Sequence, residues 1–185
     1  MFDESGWNKE FKERFNHRYD ELKWLYFSLY GEALDWLTAA MWDYYSERKS
    51  SLKKLDRQRE KNPDWYKGNG LLGMMMYSNL FGGNLQGVRS RLDYIKDCGV
   101  NYLHLMPLLD SPKGKDDGGY AVADFRKVKP ELGTMKDLEE LTEDCHNAGI
   151  SVALDFVMNH TSEEHIWAKL ARQGDMAARS RYFFY

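Results

Sequence analysis

The segment Asp155-Phe156-Val157-Met158-Asn159-His160 brings a carboxylate, an amide and an imidazole together at the end of an apolar run. Within that run, Ile150 to Phe156, only Ser151 and the acid itself are polar. This is the pattern of a buried strand of a parallel sheet. An acid at the C-terminal end of such a strand is costly unless paired, and ligands bind at those ends. A lone histidine is more often structural, but an acid and an amide beside it favour a site. His17, His104, His146 and His165 have no comparable neighbours and read as structural. A second cluster, Asp116-Asp117-Gly118-Gly119-Tyr120-Ala121-Val122, sets two acids before a glycine pair and an aromatic ring after it. A sugar offers an apolar face of C–H groups and an edge of hydroxyls, which suit a Tyr for stacking and a carboxylate for hydrogen bonding. Taken alone, the same residues equally make a plain Asp-Gly turn.

The elements that must position these residues alternate between short apolar runs and amphipathic helices, the signature of βαβ units. Leu72 to Tyr77, Val100 to Met106 and Ile150 to Phe156 read as three strands. Asn84 caps a helix whose apolar face is Leu85, Val88, Leu92 and Ile95 and whose stop is Gly99. Thr134 with Asp137 resembles a capping box, opening a helix that packs Leu138, Leu141, Cys145 and Ala148 and stops at Gly149. Three parallel strands with right-handed crossovers follow. The connection Pro107 to Gly133 far exceeds an ordinary βα loop and leaves the C-terminal end of a parallel strand, so chemistry is expected there.

Residues 1 to about 62 obey a helical period instead. Trp7, Phe11, Phe15, Tyr19, Leu22, Tyr26 and Leu29 form one stripe closed by Gly31. Leu34, Leu37, Met41 and Tyr45 continue it, then Leu52 and Leu55; Ser50-Ser51 permits a break, and Asn62-Pro63 ends the pattern. An aromatic stripe at this spacing reads as core rather than as a carbohydrate platform. Lys53, Lys54, Arg57, Arg59 and Lys61 alternate with Asp56 and Glu60, as on a solvated helix face.

Composition limits the function classes. With 43% hydrophobic and 15% aromatic residues, the 185-residue chain can bury a core. It is shorter than the roughly 250 residues of a closed eightfold barrel. Its 26 basic and 29 acidic residues give a net charge of −3, which argues against nucleic acid as partner. No uninterrupted apolar run has the length of a membrane span, and Met1 to Glu10 is polar where a signal peptide is apolar; a cytoplasmic location and no membrane partner are expected. Cys98 and Cys145 read as free buried thiols.

Asp-x-x-x-Asn-His at the end of the third strand, with Gly-Tyr in the preceding long loop, resembles the first signature region and upstream loop of the alpha-amylase family, glycoside hydrolase family 13. The likeness sharpens over Tyr77-Ser78-Asn79-Leu80-Phe81, Gly99 to Leu109, Asp117 to Val122 and Asp155 to His165. Together these segments look like amylosucrases, which move glucose from sucrose onto a growing α-1,4-glucan. The resemblance holds in motif detail over residues 60 to 185 and in helical character over 1 to 60. It implies that Tyr120 stacks on the glucosyl ring, that His160 hydrogen-bonds its hydroxyls and that Asp155 holds an active-site arginine. It further implies that Asp117 pairs with an arginine to close the pocket behind the sugar. Asn159 resembles a calcium ligand of many amylases, but the other ligands are absent from this sequence, so no metal and no cofactor are expected.

The expected fold is α/β: an N-terminal helical domain over residues 1–66, then over 71–185 the first three β/α units of a (β/α)8 TIM-type barrel, truncated at the start of the insertion after the third strand. The expected function is that of a segment of a retaining glucosyl transferase or hydrolase of amylosucrase type, with sucrose and α-glucans as substrates. A sucrose hydrolase or another α-glucoside-active family member is the alternative within the class, and a non-catalytic carbohydrate-binding or interaction module the alternative outside it. The open sheet, and the apolar tail Arg181 to Tyr185, call for cover by self-association or by the remaining barrel half. Retaining chemistry needs two carboxyl groups about 5 Å apart. The resemblance places both, with a third acid, on later strands than those of this chain, so no catalytic residue is expected within it. The 185-residue chain is therefore expected to release no fructose from sucrose at high protein concentration; release above blank that Asp155→Ala abolishes overturns this.

Overall fold

The computed structural model describes residues 4–31 and 34–184. Tyr185 of the apolar tail and residues 1–3 of the polar N-terminus lie outside the described residues. The chain divides into two compact units, Met1–Trp65 and Tyr66–Tyr185.

The first unit holds α1 (Lys9–Tyr30), α2 (Asp35–Glu47) and α3 (Ser50–Lys61). Asn8 opens α1 by accepting the Phe11 N–H at 2.8 Å, and Gly31, with φ 65°, closes it onto the Phe27 carbonyl. Trp7, Phe11, Phe15 and Tyr45 form one buried cluster, with Tyr19, Leu22 and Trp42 against it. The stripe is thus core, as expected, over most of its length. Leu29 departs from it at 72% exposed, because the cluster lies at the other end of α1. Met41 is likewise exposed. The break between α2 and α3 falls at Arg48-Lys49, and the serines open α3. The charge run is exposed or half-buried, and several of its members are paired: Arg48 grips the Asp56 carboxylate through two nitrogens at 2.7 and 2.9 Å, Arg57 reaches Glu10, and Glu60 meets Arg14.

The second unit runs β1 (Gly73–Met76), α4 (Ser78–Gly82), α5 (Leu85–Arg89), α6 (Leu92–Asp97), β2 (Tyr102–Leu105), β3 (Leu109–Asp110), β4 (Asp124–Val128), α7 (Met135–Asn147), β5 (Ser151–Leu154), α8 (Ile166–Arg172) and α9 (Met176–Arg179). The fold is mixed α/β. Strands β1, β2 and β5 form a parallel sheet in the order β1-β2-β5, an open three-stranded arrangement in place of a closed barrel. Each strand is shorter than its apolar run. The helix expected from Asn84 to Gly99 is two short helices separated at Ser90-Arg91, although Asn84 caps as expected, accepting the Gly87 N–H at 2.8 Å. Gly99 and Gly149, at φ 79° and 77°, turn the chain from helix into strand. The long connection is not wholly loop: β3 and β4 pair antiparallel inside it.

Leu103 and Leu105 point from β2 into a core with Leu85, Val88, Ile95, Leu138, Leu141 and Cys145, all nearly or fully buried. Burial pushes the Cys145 thiol up to about 11. Cys98 corrects the expectation of two buried thiols: it follows the last turn of α6 and is exposed. Among the described residues no helix is long and apolar enough to cross a membrane.

Helix α7 starts at a capping box in which Thr134 Oγ1 accepts the Asp137 N–H and Asp137 Oδ2 accepts the Thr134 N–H at 2.7 Å. Thr134→Ala is expected to cost about 1 kcal/mol of stability, read by chemical denaturation of the chain; an unchanged midpoint contradicts that role for the cap.

Candidate functional site

Three parallel strands present their C-terminal ends together, and side-chain alternation selects what faces the site. Leu103 and Leu105 enter the core, so Tyr102 and His104 face the other side of the sheet. His104 pairs in register with Met75 of β1 and Ala153 of β5. Asp155, two residues beyond Ala153, returns to that face, and its N–H continues the ladder to the Leu105 carbonyl at 3.4 Å.

His104 Nε2 lies 3.0 Å from Asp155 Oδ1. An ionised carboxylate only accepts, so Nε2 carries the hydrogen. The Tyr120 hydroxyl donates to Asp155 Oδ2 at 2.9 Å. Both carboxylate oxygens thus receive a donor, one from the neighbouring strand and one from the long loop. Asp155 raises the Tyr120 phenol above its ordinary value, first through that hydrogen bond, because the bond holds the proton on the ring oxygen. Tyr77, directly after β1, stands at the same rim: its hydroxyl is 3.4 Å from where a Gly118 side chain would begin.

The loop brings Tyr120 there through a turn that needs its glycines. Asp117, Gly118 and Gly119 all have positive φ (48°, 67° and 98°), and the Asp116 carbonyl accepts the Gly119 and Ala121 N–H groups at 2.8 and 3.0 Å. A Cβ on Gly119 would sit 2.8 Å from Pro107 Cβ and 3.0 Å from its carbonyl oxygen. The second acid of the cluster is therefore structural in its backbone, and the first in its side chain: Asp116 pairs with Lys129. That hydrogen bond holds the Asp116 carboxyl below the usual range.

Of the four residues expected at the site, the structure joins Tyr120 and Asp155. Asp117 lies exposed at the turn, its carbonyl accepting the Tyr120 N–H at 3.2 Å. His160 lies exposed after β5, 3.3 Å from the Asn159 amide. Neither side chain hydrogen-bonds Tyr120 or Asp155 among the described contacts. His104, read from the sequence as structural, stands beside Asp155; its alternation with Leu103 and Leu105 puts it on that face. His165 does serve structure: it is buried, and Nδ1 accepts the Trp167 N–H at the start of α8. Among the described residues no group of three or more His, Cys, Asp or Glu could hold a metal ion. The Asn159 amide nitrogen lies 3.3 Å from His160 Nδ1.

Residues 58–185 match the family model described as "Alpha amylase, catalytic domain", which is more than half of the chain. The chain belongs to the alpha-amylase family. Among curated relatives of that kind, the oligo-1,6-glucosidase IMA5 of Saccharomyces cerevisiae is 41% identical over 103 residues, covering 56% of this chain and 17% of that protein. The trehalose synthase/amylase TreS of Mycolicibacterium smegmatis is 48% identical over 90 residues, covering 49% of this chain and 15% of TreS. The trehalulose synthase MutB of Pseudomonas mesoacidophila superposes with a TM-score of 0.57 at 30% identity, over 62% of this chain and 22% of MutB. Another MutB structure, in complex with the substrate sucrose, gives 0.58 at 30% identity, over 65% of this chain and 22% of that chain. The chain thus spans about a fifth or less of the alpha-amylase-family proteins it matches.

Gly119→Ala is expected to displace the turn and destabilise the second unit by about 1–3 kcal/mol, as overpacking does. Denaturant unfolding measures it, and a wild-type midpoint shows that the turn yields without cost.

Proposed function

We propose that the His104–Asp155–Tyr120 cluster belongs to a glucosyl-binding pocket of an enzyme acting on sucrose and α-glucans, as in amylosucrases. The observation that carries this reading is the meeting of Tyr120 and Asp155 at 2.9 Å at the C-terminal strand ends. Tyr120 offers its ring to the apolar face of a glucosyl unit. Asp155, held in place by His104 and Tyr120, takes an arginine. Asp117 and His160, both exposed at this end of the unit, take arginine and sugar hydroxyls respectively. Fixing the sugar in this way holds its anomeric carbon for in-line attack, and the positioning itself lowers the barrier. The nucleophile and the acid of a double displacement are supplied by carboxylates other than these. Sucrose as donor is supported by the MutB relative, solved with that substrate. A second reading, hydrolysis of other α-glucosides, is favoured by the relatives named oligo-1,6-glucosidase. The helical unit 1–66 and the barrel unit from 71 are proposed as separate domains of this enzyme.

The test uses the enzyme that carries this chain. Fructose release from sucrose with growth of an α-glucan is expected, and Tyr120→Ala is expected to lower kcat/KM on the order of 10²-fold by loss of positioning. Intact sucrose with rapid cleavage of isomaltose decides for the second reading. Unchanged kinetics in Tyr120→Ala remove the site assignment under either.

A further inference from the structure

We propose that Lys129 and Asp116 are positioning residues of this site: their ion pair locks the turn that delivers Tyr120 to Asp155. Lys129 is only 9% exposed, and its side chain 11%, where lysine is almost never buried without a partner. Its ammonium group meets the Asp116 carboxylate, thirteen residues earlier in the chain. The backbone of Lys129 is fixed independently. Its N–H donates to the Leu108 carbonyl at 2.9 Å, directly after β4, and its own carbonyl accepts the Leu132 and Gly133 N–H groups at 2.8 and 3.2 Å. The ammonium group therefore projects from a rigid base.

Asp116 is the residue from which the turn hangs. Its carbonyl accepts the N–H groups on both sides of Tyr120, from Gly119 and Ala121. Clamping the Asp116 side chain thus sets the backbone on each side of the ring. Glycines with positive φ on one flank give that backbone freedom, and freedom must be removed somewhere if Tyr120 is to reach one oxygen of one carboxylate. The N–H of Ser162 adds a second tie, to the Val122 carbonyl at 2.8 Å, but it lies beyond the turn. The proposal rests on the glucosyl reading only for its consequence at the sugar; the Tyr120–Asp155 contact tests it directly.

The measurement is the 13Cζ resonance of Tyr120 at pH 7 in the 185-residue chain, which reports whether the phenol donates to a carboxylate. Tyr120→Phe assigns the signal, and Asp155→Ala gives its position with the bond absent. Lys129→Met and Asp116→Ala are each expected to move the resonance at least half of the way to that position. Thr134→Ala, which costs stability at a helix cap, is expected to leave it in place. A wild-type resonance in both pair variants overturns the proposal and leaves the site reading standing. Movement in one variant alone also overturns it, since the two residues then do not act as a pair. If one variant loses its folded amide spectrum, the other decides; if both do, the pair anchors the whole fold and the positioning role is rejected. A wild-type signal coincident with that of Asp155→Ala defeats both the contact and the reading built on it.

Discussion

A carboxylate at the end of a parallel strand has to find hydrogen-bond donors where the sheet itself stops supplying them, and the arrangement of this unit turns on how Asp155 finds its two. One comes sideways, from His104 on the neighbouring strand. The other comes from above, from Tyr120 at the end of a long excursion. The first depends on register. Because side chains alternate, a slip of one residue between β2 and β5 would turn His104 into the leucine core and Asp155 away from it. The apolar face that buries Leu103 and Leu105 therefore also fixes the polar face. Packing on one side of the sheet and the polar cluster on the other are a single constraint.

The second donor depends on a segment whose order is not that of the sheet. Strands β3 and β4 clip the excursion near its ends, the glycine turn bends it, and a buried lysine sits beneath it. Each device compensates for one weakness of a long connection: free ends, lack of a bend and lack of a core. Lys129 is buried while Asp116 is half-buried, so removing the carboxylate leaves a buried ammonium group without its ion-pair partner.

What could be read from residue types alone followed the strength of the local signal. The three strands and their order emerge from apolar runs bounded by glycine, and the caps at Asn84 and Thr134 are side-chain chemistry written in the sequence. The joining of Asp155 with Tyr120 was legible because both lie after strand ends. Other features were hidden for physical reasons. A strand of two residues, β3, has no period to detect. The kink at Ser90-Arg91 interrupts an unbroken apolar face, so tertiary packing decides it. His104 looks like any isolated histidine until the two leucines beside it are seen to face the core. Lys129 carries no local sign of burial in the sequence, and its partner Asp116 lies thirteen residues away. Leu29 and Met41 fall outside the core because periodicity gives a face and not where along it the neighbouring helix packs.

The antiparallel clip between β3 and β4 also separates two lengths of chain that are otherwise one. Asp110 pairs with Asp124, so everything between them is a closed ring resting on the rest of the unit. For a flexible ring the entropy of closure grows only logarithmically, by about 0.6 kcal/mol for each doubling of its length. The exposed tip at Lys113, Gly114 and Lys115 can thus take up inserted residues while the parallel strands below keep their register. Variation in the reach of this rim over a bound molecule is thereby uncoupled from the stability of the sheet that carries it.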